Sequence, residues 1–222
     1  KNGQGHNVMV VRKTSAQSWT EPTQGTIYSV GGSIGSGRVV YNSSGTSTGD
    51  TGVSPDTVYD YKYYSENNAY YSAGVVAQAT TLATQPTANP TDLVWDNLQE
   101  EGATYAIDIS WSGGNGAYSL VVCRQGGAPS GGPSDATKYT ANATYGSGGS
   151  LGSGYVMYNG GNNGVTLHGL AGGATYYVDI YDFNGANAPN YLSTGVLSGS
   201  QQIPEPACFA AAAGLLLVVR RR

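Results

Sequence analysis

The chain repeats itself at the scale of a whole domain, and this repeat constrains its fold more than any other feature. The segment GSIGSGRVVYN, residues 32–42, returns as GSLGSGYVMYN at residues 149–159, 117 positions later. Upstream the match continues from Met9 to Leu120 at an offset of 111, and downstream from Tyr70 to Tyr191 at an offset of 121. Solenoid repeats recur every ~20–45 residues, so this period belongs to a domain. The sequence therefore predicts two related domains joined by the Thr-, Ala- and Pro-rich stretch 80–90.

Each copy is organised as short strands separated by glycine-containing turns. Tyr105, Ile107, Ile109 and Trp111 alternate with small or polar residues, which is the period-two pattern of a half-buried strand. Further strands are predicted at 118–124, 155–158, 165–167 and from 175 onward. About seven short strands in ~110 residues are typical of an antiparallel β-sandwich. The first copy has no counterpart of the Tyr105–Trp111 stretch, so we expect it to lack its opening strands, with the chain truncated at Lys1.

Composition supports an all-β fold and excludes several classes of protein. The 222 residues include 34 Gly and 18 Tyr, and only 11% are charged. Disordered chains are usually charged and poor in aromatic residues, whereas helical bundles are rich in Ala, Leu, Glu and Lys. The net charge is −4, and three of the ten basic residues are the last three of the chain. An acidic body without a basic patch predicts that nucleic acid is not a partner.

The second copy resembles a fibronectin type III domain. The resemblance rests on Trp111, which closes the predicted second strand, and on the Gly-Leu-x-x-x-x-Thr-Tyr segment 169–176 that leads into the sixth. It implies tandem fibronectin type III or immunoglobulin-like sandwiches, with a truncated first domain at 1–84 and a second at 85–200. It also implies that Tyr59 and Tyr176 are tyrosine-corner residues, whose hydroxyl groups bond to nearby backbone.

The last twenty residues have a different character. Pro204, Glu205 and Pro206 precede thirteen uncharged, mostly apolar residues, 207–219, and the chain ends in Arg220, Arg221 and Arg222. Pro206 suits the first turn of a helix, and terminal arginines favour the cytoplasmic side of a membrane. The run is shorter than the ~20 residues of an ordinary spanning helix. We expect a short C-terminal hydrophobic helix that enters the membrane, and a buried helix ending in solvated arginines is the alternative.

These three parts, in this order at the chain end, resemble the PEP-CTERM sorting signal of Gram-negative bacteria. The resemblance covers residues 203–222 and implies export, transient anchoring in the inner membrane, and processing near the Pro-Glu-Pro motif. An exosortase-type membrane enzyme would be the processing partner, and the three arginines the cytoplasmic basic anchor. The resemblance further implies a cell-surface or extracellular location and an association with extracellular polysaccharide and biofilm. Lipidation of Cys208 is a further possibility beside an ordinary small residue at that position.

The residues that could support catalysis or metal binding are scattered. No Cys/His cluster accompanies the two histidines, so no metal site is predicted. Both copies contain Gly-x-Ser-x-Gly, but a nucleophile elbow requires a following helix, and here a strand is predicted instead. The acidic residues show neither EF-hand spacing nor a converging pair. No catalytic residue, cofactor or metal is therefore predicted. The residues considered were His6, His168, Ser33, Ser150, Asp56, Asp60, Asp179 and Asp182.

The tyrosines leave two interpretations open. An exposed aromatic strip could stack on sugars or bind proteins, whereas buried tyrosines would replace Phe and Leu as core residues. Two functions correspond to these interpretations. The first is a non-enzymatic exported surface or matrix protein built of spacer or adhesion sandwiches. The alternative is a carbohydrate- or protein-binding accessory module of a larger exported enzyme whose active domain precedes residue 1. The candidate strip residues are Tyr64, Tyr70 and Tyr71, or Tyr177, Tyr181 and Tyr191.

Overall fold

A computed structural model describes residues 6–205. Pro206, the predicted hydrophobic helix and the three terminal arginines lie outside the described residues. Within 6–205 every regular element is a β-strand and every strand pairing within a sheet is antiparallel. The strands are β1 (Asn7–Thr14), β2 (Ser33–Ile34), β3 (Gly37–Ser43), β4 (Val58–Asn67), β5 (Tyr70–Tyr71), β6 (Val75–Thr80), β7 (Thr91–Glu101), β8 (Thr104–Ser112), β9 (Tyr118–Gln125), β10 (Ser150–Leu151), β11 (Gly154–Gly160), β12 (Gly164–Leu170), β13 (Thr175–Asn184), β14 (Asn190–Tyr191) and β15 (Leu197–Gln202).

The second repeat is a β-sandwich of two antiparallel sheets. Its larger sheet has the order β10-β11-β9-β13-β14, with β15 also paired to β13, and β12-β8-β7 forms the facing sheet. The alternating apolar residues of β8 bring Ile107, Ile109 and Trp111 into one buried cluster with Val178 and Ile180 of β13. Because the period-two pattern buries one face of each strand, the core lies between the two sheets.

The first repeat contains one sheet in the described residues. Its order, β2-β3-β1-β4-β5 with β6 paired to β4, matches the larger sheet of the second repeat strand for strand. Residues 47–53, which align with β12, form no strand. Within residues 6–205 the first repeat thus has a counterpart of the larger sheet of the second repeat and no counterpart of its β12-β8-β7 sheet.

Each larger sheet carries a second apolar layer on its outer face. In the second repeat the long segment 126–149 folds over this face, and its Tyr139 packs against a cluster that contains Leu120, Val122 and Val156. In the first repeat Trp19 and Tyr28 cover the corresponding cluster of Met9, Val11 and Val39. This cover accounts for the length of the segment between β9 and β11, which exceeds that of a simple sandwich connection.

The outer layers decide the role of most candidate strip tyrosines. Tyr64, Tyr71, Tyr181 and Tyr191 are all buried, and Tyr70 is exposed. Hydroxyl groups at the rim of these clusters reach backbone carbonyls, as Tyr71 does at Thr26 (2.9 Å) and Tyr191 at Thr137 (2.9 Å). These tyrosines act as core residues with a polar end, and they form no exposed strip.

The strand pairing changes the repeat alignment at one tyrosine. Tyr71 pairs with Glu66 in the first repeat, and Tyr191 pairs with Phe183 in the second. The structural counterpart of Tyr191 is therefore Tyr71 and not Tyr70. The reason is the connection between β13 and β14, which is three residues longer than the corresponding turn between β4 and β5.

Candidate functional site

The two predicted tyrosine-corner residues make equivalent hydrogen bonds. The backbone N–H of Ser54 donates to the Tyr59 hydroxyl oxygen (2.9 Å), and that of Ala171 donates to Tyr176 (2.9 Å). Each bond spans five residues and closes the turn that precedes the long strand β4 or β13. Both rings are buried, so these residues hold the ends of the sheets in place and contribute stability.

The serines and the strand histidine considered for chemistry lie on three different strands. Ser33 and Ser150 lie in two-residue strands that turn directly into β3 and β11, so neither occupies a strand-to-helix elbow. His168 is on β12, where its Nδ1 lies 2.8 Å from a Glu101 carboxylate oxygen at the surface. Residues 6–205 contain no group of three or more His, Cys, Asp or Glu side chains that could hold a metal ion.

The Pro-Glu-Pro motif directly follows a core residue of the second repeat. Ile203 is fully buried in the sandwich core, and the N–H of Gly173 donates to its carbonyl oxygen (2.9 Å). Pro204 and Glu205 are exposed directly after it. The side chains of the first two motif residues are thus accessible, while the Pro204 carbonyl accepts a hydrogen bond from the Gly173 N–H (3.3 Å). No helix in the described part of the chain is long and apolar enough to cross a membrane.

The most specific polar arrangement joins the two repeats, and Asp56 is at its centre. One carboxylate oxygen of Asp56 accepts hydrogen bonds from the backbone N–H groups of Asn187 (2.9 Å) and Ala188 (2.8 Å), and the other accepts one from Ala186 (3.0 Å). The Asn187 side-chain amide donates in return to the Asp56 carbonyl oxygen (2.9 Å). The carboxylate of one repeat therefore occupies a ring of backbone donors in the other, a geometry that suits an anion. We call this contact the joint.

Asp56 and its counterpart in the second repeat share a backbone conformation but differ in residue type. Asp56 has a φ of +49°, and its counterpart in the second repeat is Gly173, with a φ of +78°. Glycine adopts this left-handed region most easily, although Asp tolerates it better than most residues. The first repeat thus carries a less favourable residue whose carboxylate makes the contact with the second repeat.

The acceptor loop is equally specific. It is the connection between β13 and β14, which has three more residues than its counterpart in the first repeat. Gly185 in this loop has a φ of +97°, and a Cβ atom there would lie 2.5 Å from Ala83 Cβ and 3.0 Å from Asp56 Oδ1. The lengthened loop and its glycine are therefore shaped to receive the first repeat.

Further hydrogen bonds fix the linker against the second repeat. The Ala83 N–H donates to the Ala188 carbonyl (3.0 Å), and the Ala83 carbonyl accepts from the Asn190 side chain (2.8 Å). The Asn184 amide donates to the Thr84 carbonyl (2.9 Å). Because the linker is bonded along this stretch, the joint has several contacts and does not depend on Asp56 alone.

Electrostatics favour the ionised form of Asp56. Partial burial disfavours its charge, but the hydrogen bonds from Ala188, Asn187 and Ala186 and the positive charge of Lys138 outweigh that effect, so the pKa of Asp56 is lowered from its ordinary value. The joint is thus charged and hydrogen-bonded at neutral pH.

Among known proteins, a similarity is found to solved structures alone. No family model matches the chain, and no curated protein does. Among solved structures, the chain is similar to the chicken CNTN1 FN1–FN3 domains, at 13% sequence identity and a TM-score of 0.39. The match covers 90% of this chain and 57% of that chain, so this chain spans little more than half of its length.

Sequence reasoning placed Asp56 only among scattered acids and missed the joint. One signal was present, because an Asp stands where the aligned second copy has Gly173. The acceptor loop gave no such signal, since its donors are backbone groups of ordinary residues.

Proposed function

We propose that this protein is a non-enzymatic spacer or adhesion protein, exported to the cell surface or extracellular matrix of a Gram-negative bacterium. The observation that carries the proposal is the joint, in which Asp56 and the linker are hydrogen-bonded to the β13–β14 loop. Domains joined by a flexible linker move relative to each other by default, and a residue-specific contact of this kind is not needed for that arrangement. A fixed angle between domains gives a surface protein a defined reach.

The second element of the proposal is sorting through residues 203–222. An exosortase-type membrane enzyme would process the chain near Pro204-Glu205-Pro206, with Arg220, Arg221 and Arg222 on the cytoplasmic side. Two observations support this. The motif starts one residue after the buried Ile203, and its first two residues are exposed. Processing there would release an intact sandwich.

The test of this function is mass spectrometry of the mature C-terminus, recovered from the surface of cells that express the full chain and an exosortase. We expect the mature protein to end near the motif, without Arg222. A matched variant, Glu205→Gln, changes one exposed motif residue and leaves Ile203 in place, so its sandwich should fold normally while its processing is slowed. Surface-exposed protein that retains Arg222 would contradict the sorting proposal.

The alternative function, an accessory module that binds carbohydrate or protein, has one observation in its favour. The inner face of the first repeat's sheet is partly exposed, with Tyr63 and Val75 at the surface. A soluble polysaccharide that protected this face in the unmodified chain would favour the alternative over the spacer.

A further inference from the structure

The inner face of the first repeat's sheet carries apolar side chains without the cover that their counterparts have. In the second repeat Val178 and Ile180 are fully buried beneath β8. In the first repeat Tyr63 is 42% exposed and Val75 is 72% exposed, and Ala77 beside them is also exposed. The same sheet, in the same register, is therefore covered in one repeat and open in the other.

Part of the second layer is present in the first repeat, in altered form. Arg12 stands where the second repeat has Cys123, and Asp50 stands where it has Leu167. Cys123 and Leu167 share one buried cluster, and Arg12 and Asp50 form an ion pair at 2.7 Å that also accepts the Tyr61 hydroxyl (2.8 Å). An ion pair thus takes the place of two buried core residues. Through it, segment 47–53 packs on β1, as β12 packs on β9 in the second repeat.

Beside this segment the space that β8 fills in the second repeat is empty in the described residues. Two adjoining hollows of about 320 and 290 Å³ lie there and share Val10, Thr48 and Tyr63 as lining residues. In the second repeat β12 pairs with β8 along its edge. The Thr51 and Gly52 carbonyls accept hydrogen bonds from the Arg12 guanidinium (3.5 and 3.3 Å), but no strand of residues 6–205 pairs with segment 47–53.

We propose that this open face docks a β-hairpin from outside residues 1–222, with large apolar residues at alternate positions, as in β7–β8. The second repeat supplies the argument, because the equivalent sheet is covered by a hairpin of that chemistry. No strand of residues 6–205 occupies the place of β7–β8 in the first repeat. The facing residues must be apolar, since Arg12 and Asp50 are already paired with each other. This inference does not depend on the spacer function.

A second copy of the chain is a poorer occupant. Its own β7–β8 hairpin is committed to its second repeat, where Ile107 and Ile109 are 3% and 2% exposed. Docking it elsewhere would uncover that core.

The test joins a second copy of the sequence of residues 91–112 ahead of Lys1 in the full chain. Residues 1–6, KNGQGH, then connect the added hairpin to β1, one residue more than the five, 113–117, GGNGA, that connect β8 to β9. Tethering raises the effective concentration of the hairpin into the millimolar range, so weak docking is still detected. The readout is amide hydrogen exchange of segment 47–53, which should slow at least about tenfold when its edge is paired.

Two substitutions on β6 serve as a matched pair. Ala77→Glu places a charge on the open face and should abolish the protection, whereas Val76→Glu places the same charge on the opposite face of the same strand and should preserve it. An added hairpin with Asp in place of its two central isoleucines should give no protection. Unchanged exchange of 47–53 in the tethered chain would overturn the proposal, as would equal behaviour of the two β6 variants. Protection that rises with concentration of the unmodified chain would assign the face to a second copy instead.

Discussion

Replacing Asp56 by glycine tests the joint at a single side chain. Gly173 occupies the equivalent position with a positive φ, so Asp56→Gly should keep the local backbone conformation while it removes the side chain with its carboxylate. Three backbone N–H groups then lose their acceptor. A hydrogen bond to a charged group contributes roughly 1.5–3 kcal/mol when buried, and solvent screening at this half-buried site reduces that to well under 1 kcal/mol each, or about 2 kcal/mol in total.

The loss should appear as local opening of the joint. About 2 kcal/mol corresponds to a ~30-fold shift in the equilibrium between closed and open joint, so exchange of the amides of residues 186–188 should accelerate ~30-fold. Global stability should change little, because glycine relieves the positive φ that Asp56 adopts. Hydrogen exchange with fragment mass spectrometry separates these effects.

Asp92→Gly is the control for this experiment. Asp92 also has a positive φ, +54°, but it is exposed and lies outside the joint. It should leave residues 186–188 unchanged. If Asp56→Gly altered the exchange of those amides by less than about twofold, the hydrogen bonds of the joint would not contribute as calculated, and the reasoning would be refuted.

Three further predictions concern pH, the tyrosine corner and the buried thiol. Because the pKa of Asp56 is lowered in the folded state, its stabilisation is present above the ordinary aspartate pKa of about 3.9 and is lost as the pH falls through the lower, folded value. The protection of amides 186–188, relative to an unstructured peptide at the same pH, should therefore fall in acid in the wild type but not in Asp56→Gly. Tyr176→Phe removes the acceptor of the Ala171 N–H and should lower the free energy of unfolding by ~1 kcal/mol in denaturant titration, and an unchanged midpoint would argue against the bond. Cys123 is fully buried, and burial raises its pKa to about 12. Alkylation of Cys123 near pH 8 should therefore fail in the native protein and proceed in guanidinium chloride, as measured from the mass of the peptide that contains it. Rapid labelling of the native protein would contradict the burial of Cys123 in the core.

The sequence predicted those parts of the fold that depend on periodicity and repetition. The alternation around Ile107 and Ile109 identified β8, and alignment of the two copies located β3 and β11 in the same place within each sheet. These predictions succeed because a strand that is buried on one face alternates apolar and polar residues, whichever strands it pairs with.

Other features depend on contacts between distant segments, which no local pattern encodes. The outer apolar layer forms because irregular segments such as 126–149 fold back onto a sheet, and such segments have no period to detect. The joint needs Asp56 and a loop more than 120 residues away to meet, and neither side has a motif of its own. The alignment shows that Arg12 and Asp50 stand where the second repeat has Cys123 and Leu167. Only the structure shows that the two charged side chains form an ion pair.

The most direct test of the central claim is the distance distribution between the two repeats. Spin labels at Ser44→Cys and Asn162→Cys, both exposed positions, can be read by pulsed electron resonance in a Cys208→Ser background, since Cys123 is buried. A rigid two-repeat spacer predicts one narrow distribution at neutral pH that broadens in Asp56→Gly. A distribution that is already broad in the wild type, and unchanged by the substitution, would contradict it.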